Sequence, residues 1–145
     1  MKKILLIIIS LLIFIGCNNT NNNVIYDSSE VTSKVVAIIN EKEYVIDMED
    51  NETANAFINM LPKEFNMNEL NGNEKYIYLD DTLPTNSSNP KRINAGDVML
   101  YGNNCLVIFY KSFDTSYSYT KIGHINDLPD LGNENIKVKI IKEDL

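Results

Sequence analysis

The chain is poor in the residues on which most enzyme chemistry relies. Its 145 residues include one histidine, His124, two cysteines, Cys17 and Cys105, and one arginine, Arg92. A zinc site draws several imidazole, thiolate or carboxylate ligands into one cluster, and this set is too small to suggest one. There is no nucleophile elbow, no glycine-rich phosphate loop, no HExxH and no CxxC, so neither a metal nor a cofactor is expected. Acidic residues outnumber basic ones, 20 to 13, for a formal charge of −7. An acidic, arginine-poor chain has no electrostatic footprint for a nucleic-acid partner.

Pairs that resemble catalytic motifs do not survive their context. Tyr117 and Lys121 have the spacing of a Tyr/Lys dehydrogenase pair, but that pair works from one face of a helix and the surroundings here read as strand. Asp80 and Asp81 are adjacent at a strand end, where neighbours point to opposite faces. Glu49, Asp50 and Glu52 read as an acidic helix start. Cys105 stands in the apolar run CLVIFY and reads as a small buried hydrophobe, with no positive charge nearby to activate it.

What the chain does contain begins with MKKILLIIISLLIFIGC. Two lysines precede an apolar stretch from Ile4 to Ile15, shorter than the about 20 residues that span a bilayer. A retained signal anchor is the alternative, but Phe14-Ile15-Gly16-Cys17 resembles the lipobox of bacterial lipoproteins. That resemblance implies cleavage before Cys17, diacylation on its sulfur with palmitate-type chains and acylation of the new N-terminus, and attachment to the cell membrane with the rest facing outside the cytoplasm. Residues 1–16 are thus expected to be a signal peptide. Their loss would remove Lys2 and Lys3 and take the formal charge to −9. Anionic headgroups would repel such a chain, so the partner of the bilayer must be the lipid on Cys17.

Residues 17–34 are asparagine-rich and polar, too poor in apolar surface to fold, and are expected to form a disordered tether. Residues 35–145 are enough for one domain. Their period is mostly two. VVAIIN and EYVID flank Glu41-Lys42 as a hairpin, DVMLY and CLVIFY flank Gly102-Asn103-Asn104, and EKYIYL and NIKVKII alternate cleanly. Ala54, Phe57, Ile58 and Leu61 instead share one side of a helix of about eleven residues, opened by Asp50 or Asn51 and stopped by Pro62. The expected fold is mainly β: a closed barrel of about eight strands with one helix covering an opening. Residues 81–96 form a long connection of the kind that is functional or mobile.

NETANAFINMLP, then INAGDVMLYGNNCLVIFY, then YTKIGHINDLPDL together resemble the small bacterial cyclophilin-like domains. The shared positions are Asn51, Thr53, Ala54, Leu61, Pro62, Gly96, Asp97, Phe109, Tyr110, Tyr119, Ile122, Gly123 and Ile125. The resemblance implies the cyclophilin barrel and a concave face that holds a peptide or protein ligand, near Phe109, Tyr110, Tyr119 and His124, with Arg92 in reach from the loop. It departs from the true prolyl isomerases at the segment that carries their catalytic arginine: EFNMNELNGNEKYIYL has none. The expectation is therefore a lipid-anchored binding module without isomerase activity. A prolyl isomerase acting outside the cytoplasm is the alternative. A solute-binding lipoprotein is the weakest reading, because about 110 residues are few for a two-lobed clamp.

His124 invites a role in proton transfer. An unbroken strand from Tyr117 to Ile125 would put it on one face with Thr120 and Ile122, opposite Tyr119 and Ile125. It then reads as a polar residue at a strand end, and Gly123 as a point of close backbone approach. The six tyrosines Tyr76, Tyr78, Tyr101, Tyr110, Tyr117 and Tyr119 read first as packing and second as a ligand surface.

Overall fold

A computed structural model describes residues 33–145; the signal segment 1–16, Cys17 and most of the expected tether lie outside the described residues. The strands are β1 (Ser33–Ile39), β2 (Lys42–Met48), β3 (Lys63–Leu70), β4 (Glu74–Tyr78), β5 (Arg92–Ile93), β6 (Asp97–Tyr101), β7 (Cys105–Phe109), β8 (Phe113–Asp114), β9 (Thr120–Ile125) and β10 (Ile136–Asp144), with one helix, α1 (Glu52–Asn59), after β2. Eight of the strands close into an antiparallel barrel in the order β1-β10-β3-β4-β7-β6-β9-β2, and β5 pairs with β8 outside it. The expected barrel is the one found.

The alternation of side chains fills the interior. Ala37 and Ile39, Phe65 and Met67, Leu106 and Ile108, and Val138 and Ile140 point inward and form one core cluster that includes Phe57 of α1. Asn51 is the helix cap, its Oδ1 accepting the Ala54 N–H at 2.8 Å. The helix is shorter than expected, ending at Asn59 with Met60 as its C-cap, so Leu61 and Pro62 follow it and do not belong to it.

Three further differences have physical causes. The first hairpin turns at Asn40 and Glu41, both with positive φ, and Lys42 already pairs with Ile39. β3 (KEFNMNEL) has no β-branched residue and one aromatic, so propensity does not announce it; it forms because Phe65 and Met67 reach the core between exposed neighbours. Residues 81–96 are tied into the fold: the Leu83 N–H donates to Asn103 O at 2.8 Å, Ser88 exchanges backbone bonds with Tyr119, and Thr53 Oγ1 donates to Pro84 O at 2.7 Å.

The last difference concerns β9. Its register against β6 steps from Val98↔Gly123 to Met99↔Lys121, leaving Ile122 unmatched in a β-bulge. The bulge breaks the period of two, so Ile122 and Ile125 both face the core. The expected grouping of His124 with Ile122, opposite Ile125, is therefore corrected. Gly123 is required by close approach: a Cβ there would meet Asp47 O at 2.7 Å and Ile46 Cγ2 at 2.9 Å.

Candidate functional site

One sector of the barrel wall is apolar on its outer face as well. Met99 on β6, Cys105, Val107 and Phe109 on β7, and Tyr119 ahead of β9 form a second buried cluster with Ile93 of β5. The β5–β8 ribbon covers this cluster, and Phe113 packs on Phe109 with ring centroids 5.6 Å apart. Where the ribbon stops, the outer face of β4, β7 and β6 is left as a groove.

The register defines its walls. Cys105 pairs with Tyr78 on one side and with Tyr101 on the other, so a small side chain lies between two rings. One step along, Val107 pairs with Tyr76 and Met99. Small residues make the floor and tyrosines the banks. Tyr117 extends one bank, its ring 6.0 Å from that of Tyr101, and Tyr119 lies 5.6 Å from Tyr101. The cavity measures about 340 Å³ and continues past Phe113 to Leu70, Asn71, Asn73 and Glu74. Tyr78 and Tyr117 expose about three-fifths of their surface, so the mouth is open.

Glu74 is the one charged residue in this lining. Burial first, and the nearby Glu69 second, push its carboxyl up to about 7. Burial also pushes the Cys105 thiol up to about 11, with Glu74 adding to it, so the thiol is protonated at neutral pH and a poor nucleophile. The Tyr119 hydroxyl is raised too, again chiefly by burial.

Behind the wall, Lys75 is fully buried and donates to Glu69 Oε2 at 2.5 Å and to the carbonyls of Gly132 and Glu134 at 2.6 and 2.7 Å. Burial alone would raise the Glu69 carboxyl, but hydrogen bonds from Lys75, Tyr110 and the Gly72 N–H outweigh it and hold it low. Glu69 is thus a neutralised carboxylate, and Glu74 is not.

The five residues expected to share one groove are dispersed. Phe109 and Tyr119 do meet, with centroids 5.5 Å apart and rings perpendicular. Phe109 is fully buried behind the groove and Tyr119 lines it. Tyr110 points the other way, into the barrel, where its hydroxyl donates to Glu69 at 2.8 Å. His124 pairs with Asp97 across the β9–β6 ladder, and Arg92 binds Asp114 at 2.8 Å on the covering ribbon; neither lines the groove. Tyr76, Tyr78, Tyr101, Tyr117 and Glu74 take their place. The signal was present in the sequence: EKYIY puts Glu74, Tyr76 and Tyr78 on one face, and the Gly102 turn brings Tyr101 level with Cys105.

Among the described residues no three His, Cys, Asp or Glu side chains converge to hold a metal ion. A sequence model of a family described as the Cyclophilin-like family matches residues 37–141, most of the chain. No curated protein and no solved structure matches the chain.

Proposed function

The chain belongs to the cyclophilin-like family, and we propose that it is a binding module held at the membrane, its aromatic groove taking a peptide or protein segment outside the cytoplasm. The groove itself carries this reading. It is open, floored by Cys105 and Val107, banked by tyrosines, and wide enough at about 340 Å³ for a few side chains of an extended segment. Tyrosine suits such a surface, because each ring offers apolar area with a polar tip at little entropic cost.

The anchor rests on the lipobox-like end of the first 17 residues. Two or more acyl chains hold a protein on a bilayer stably, each buried methylene adding about 0.8 kcal/mol. Binding without catalysis is favoured by where the cation is. Amide rotation faces a barrier of about 18–20 kcal/mol, and a prolyl isomerase lowers it with a guanidinium at the prolyl nitrogen. Arg92 is engaged with Asp114, away from the groove lining.

The test is the rate of cis–trans isomerisation of a proline-containing peptide in the presence of the full chain. The expected rate is that of the uncatalysed peptide, unchanged by Arg92→Ala. A robust acceleration that the variant loses would make the protein an isomerase.

A further inference from the structure

The groove has an electrostatic end that the apolar reading does not use. Along β4 the outward row runs Tyr78, Tyr76, Glu74, and four strand residues cover about 13 Å. The tyrosine mouth lies at one end of this row and the lone carboxylate at the other. A segment whose backbone rests at the mouth could send a long side chain along the Cys105–Val107 floor toward Glu74.

Two acceptors wait at that end. Glu74 has only burial and the neighbouring Glu69 acting on its ionisation, both unfavourable to its charge, and no cation offsets them. Asn73, next to it in the lining, has a buried Oδ1 with no hydrogen-bond partner. An unmet buried acceptor and an unpaired carboxylate on adjacent residues of one lining are costly to the fold, and a donor-rich group entering that end of the groove would offset the cost. The potential cations nearby are already committed: Lys75 to Glu69 and two carbonyls, Lys111 to Asp130 at 3.3 Å, Arg92 to Asp114. Glu74 in turn acts on the Cys105 thiol of β7 and on the Tyr119 and Tyr110 hydroxyls, all three held neutral chiefly by burial. The rest of the lining's ionisable groups are tyrosine hydroxyls, so none of these groups supplies a cation.

We propose that the groove selects a peptide segment carrying a lysine or arginine, whose cationic head is taken at Glu74 and Asn73 while its aliphatic stem lies between the tyrosine banks. An ammonium brings three donors and a guanidinium five, and aromatic faces beside the path attract a cation while excluding an anion. The chain's formal charge of −7 adds long-range attraction for basic segments. This inference rests on the groove being a peptide site, and the experiment separates the two.

The full chain is titrated with two acetylated, amidated pentapeptides, Ala-Ala-Lys-Ala-Ala and its norleucine analogue, while the backbone amide resonances of β4 and β7 are followed. The lysine peptide is expected to bind roughly tenfold more tightly than the norleucine peptide, and Glu74→Gln to bring the lysine peptide down to the norleucine level. Equal binding of the two overturns the selection for a cation and leaves the groove as a peptide site. A lysine preference that persists in Glu74→Gln removes Glu74 from the site. If neither peptide perturbs the groove, this inference and the peptide reading fail together. The norleucine arm needs no mutant, so the result does not depend on a variant folding.

Discussion

His124 Nδ1 lies 2.9 Å from Asp97 Oδ1, and the two residues face each other across the β9–β6 ladder. The Asp97 side chain is 3% exposed, and its Oδ2 accepts the Asn94 N–H at 2.8 Å, closing the turn that leads into β6. Gly96 in that turn leaves no room for a Cβ, which would meet Ile125 O at 2.1 Å. The histidine therefore belongs to a joint between the β6 turn and the end of β9. Asp97 secures the turn, the imidazole lies within hydrogen-bond distance of it, and the Lys121 ammonium adds a charge contact at 3.7 Å.

Removing the acceptor should thus hurt more than removing one donor. Asp97→Ala is expected to lower stability by about 1–2 kcal/mol, because it removes the buried acceptor shared by the Asn94 N–H and the imidazole. His124→Gln, which keeps a donor, should cost under about 1 kcal/mol. Urea unfolding of both variants checks the order; a larger loss in the histidine variant would show that the joint depends on the ring itself.

Glu74 makes stability depend on pH in a predictable direction. A carboxyl that keeps its proton to about pH 7 in the fold, against an ordinary 4.5, binds more protons folded than unfolded across that interval. Stability therefore falls as pH rises from about 4.5 to 7 and levels off above. The full shift would be worth about 3 kcal/mol, and partial exposure reduces this to about 1–2 kcal/mol. Glu69, held below its ordinary range, acts only at the acid side of this window. Urea midpoints at pH 5 and pH 8 should differ in the native protein and converge in Glu74→Gln. An undiminished difference in the variant would move the effect to another group.

Lys75 is the fully buried cation of the wall, and its ammonium lies 4.9 Å from the centroid of the Tyr110 ring. Lys75→Ala should cost about 3–5 kcal/mol, since it leaves Glu69 without its ion pair and two carbonyls without a donor. Lys75→Met, which refills the volume, should cost less than the alanine variant. Thermal unfolding gives the ranking, and faster amide exchange at Gly132 would report the loosened loop that Lys75 ties to β4. Equal melting of the native and alanine proteins would contradict this account.

Acylation is tested by growth with labelled palmitate. Label should enter the native protein and be absent from Cys17→Ala, which should also leave the membrane fraction. Label retained by the variant would place the lipid elsewhere or remove the anchor from the proposal.

Much of the barrel was readable because a one-face-wet strand writes its period into the chain. NIKVKII gives β10, the breaks at Glu41-Lys42 and at Gly102 give two hairpins (the first turning one residue earlier than expected), and Asn51 with Ala54 and Phe57 gives the helix. β3 was not legible, because polar residues fill its exposed face and little β propensity remains. The groove was half legible. CLVIFY is apolar on both faces, so its period is invisible, and nothing local says that one face fills the barrel while the other lies under a two-stranded ribbon.

The sequence by itself determined which residues share a face in β4 and β10 and where two hairpins and the helix lie, since these follow from side-chain alternation, turn chemistry and capping. Only the tertiary structure decided what covers each face. The β9 bulge at Ile122 reversed the local parity and turned His124 to Asp97. Pairing of strands distant in the chain set Cys105 between Tyr78 and Tyr101, and Lys75 neutralised Glu69 while Glu74 stayed unpaired. Register and burial are properties of neighbours far apart in the chain, and they converted scattered tyrosines and one glutamate into a site.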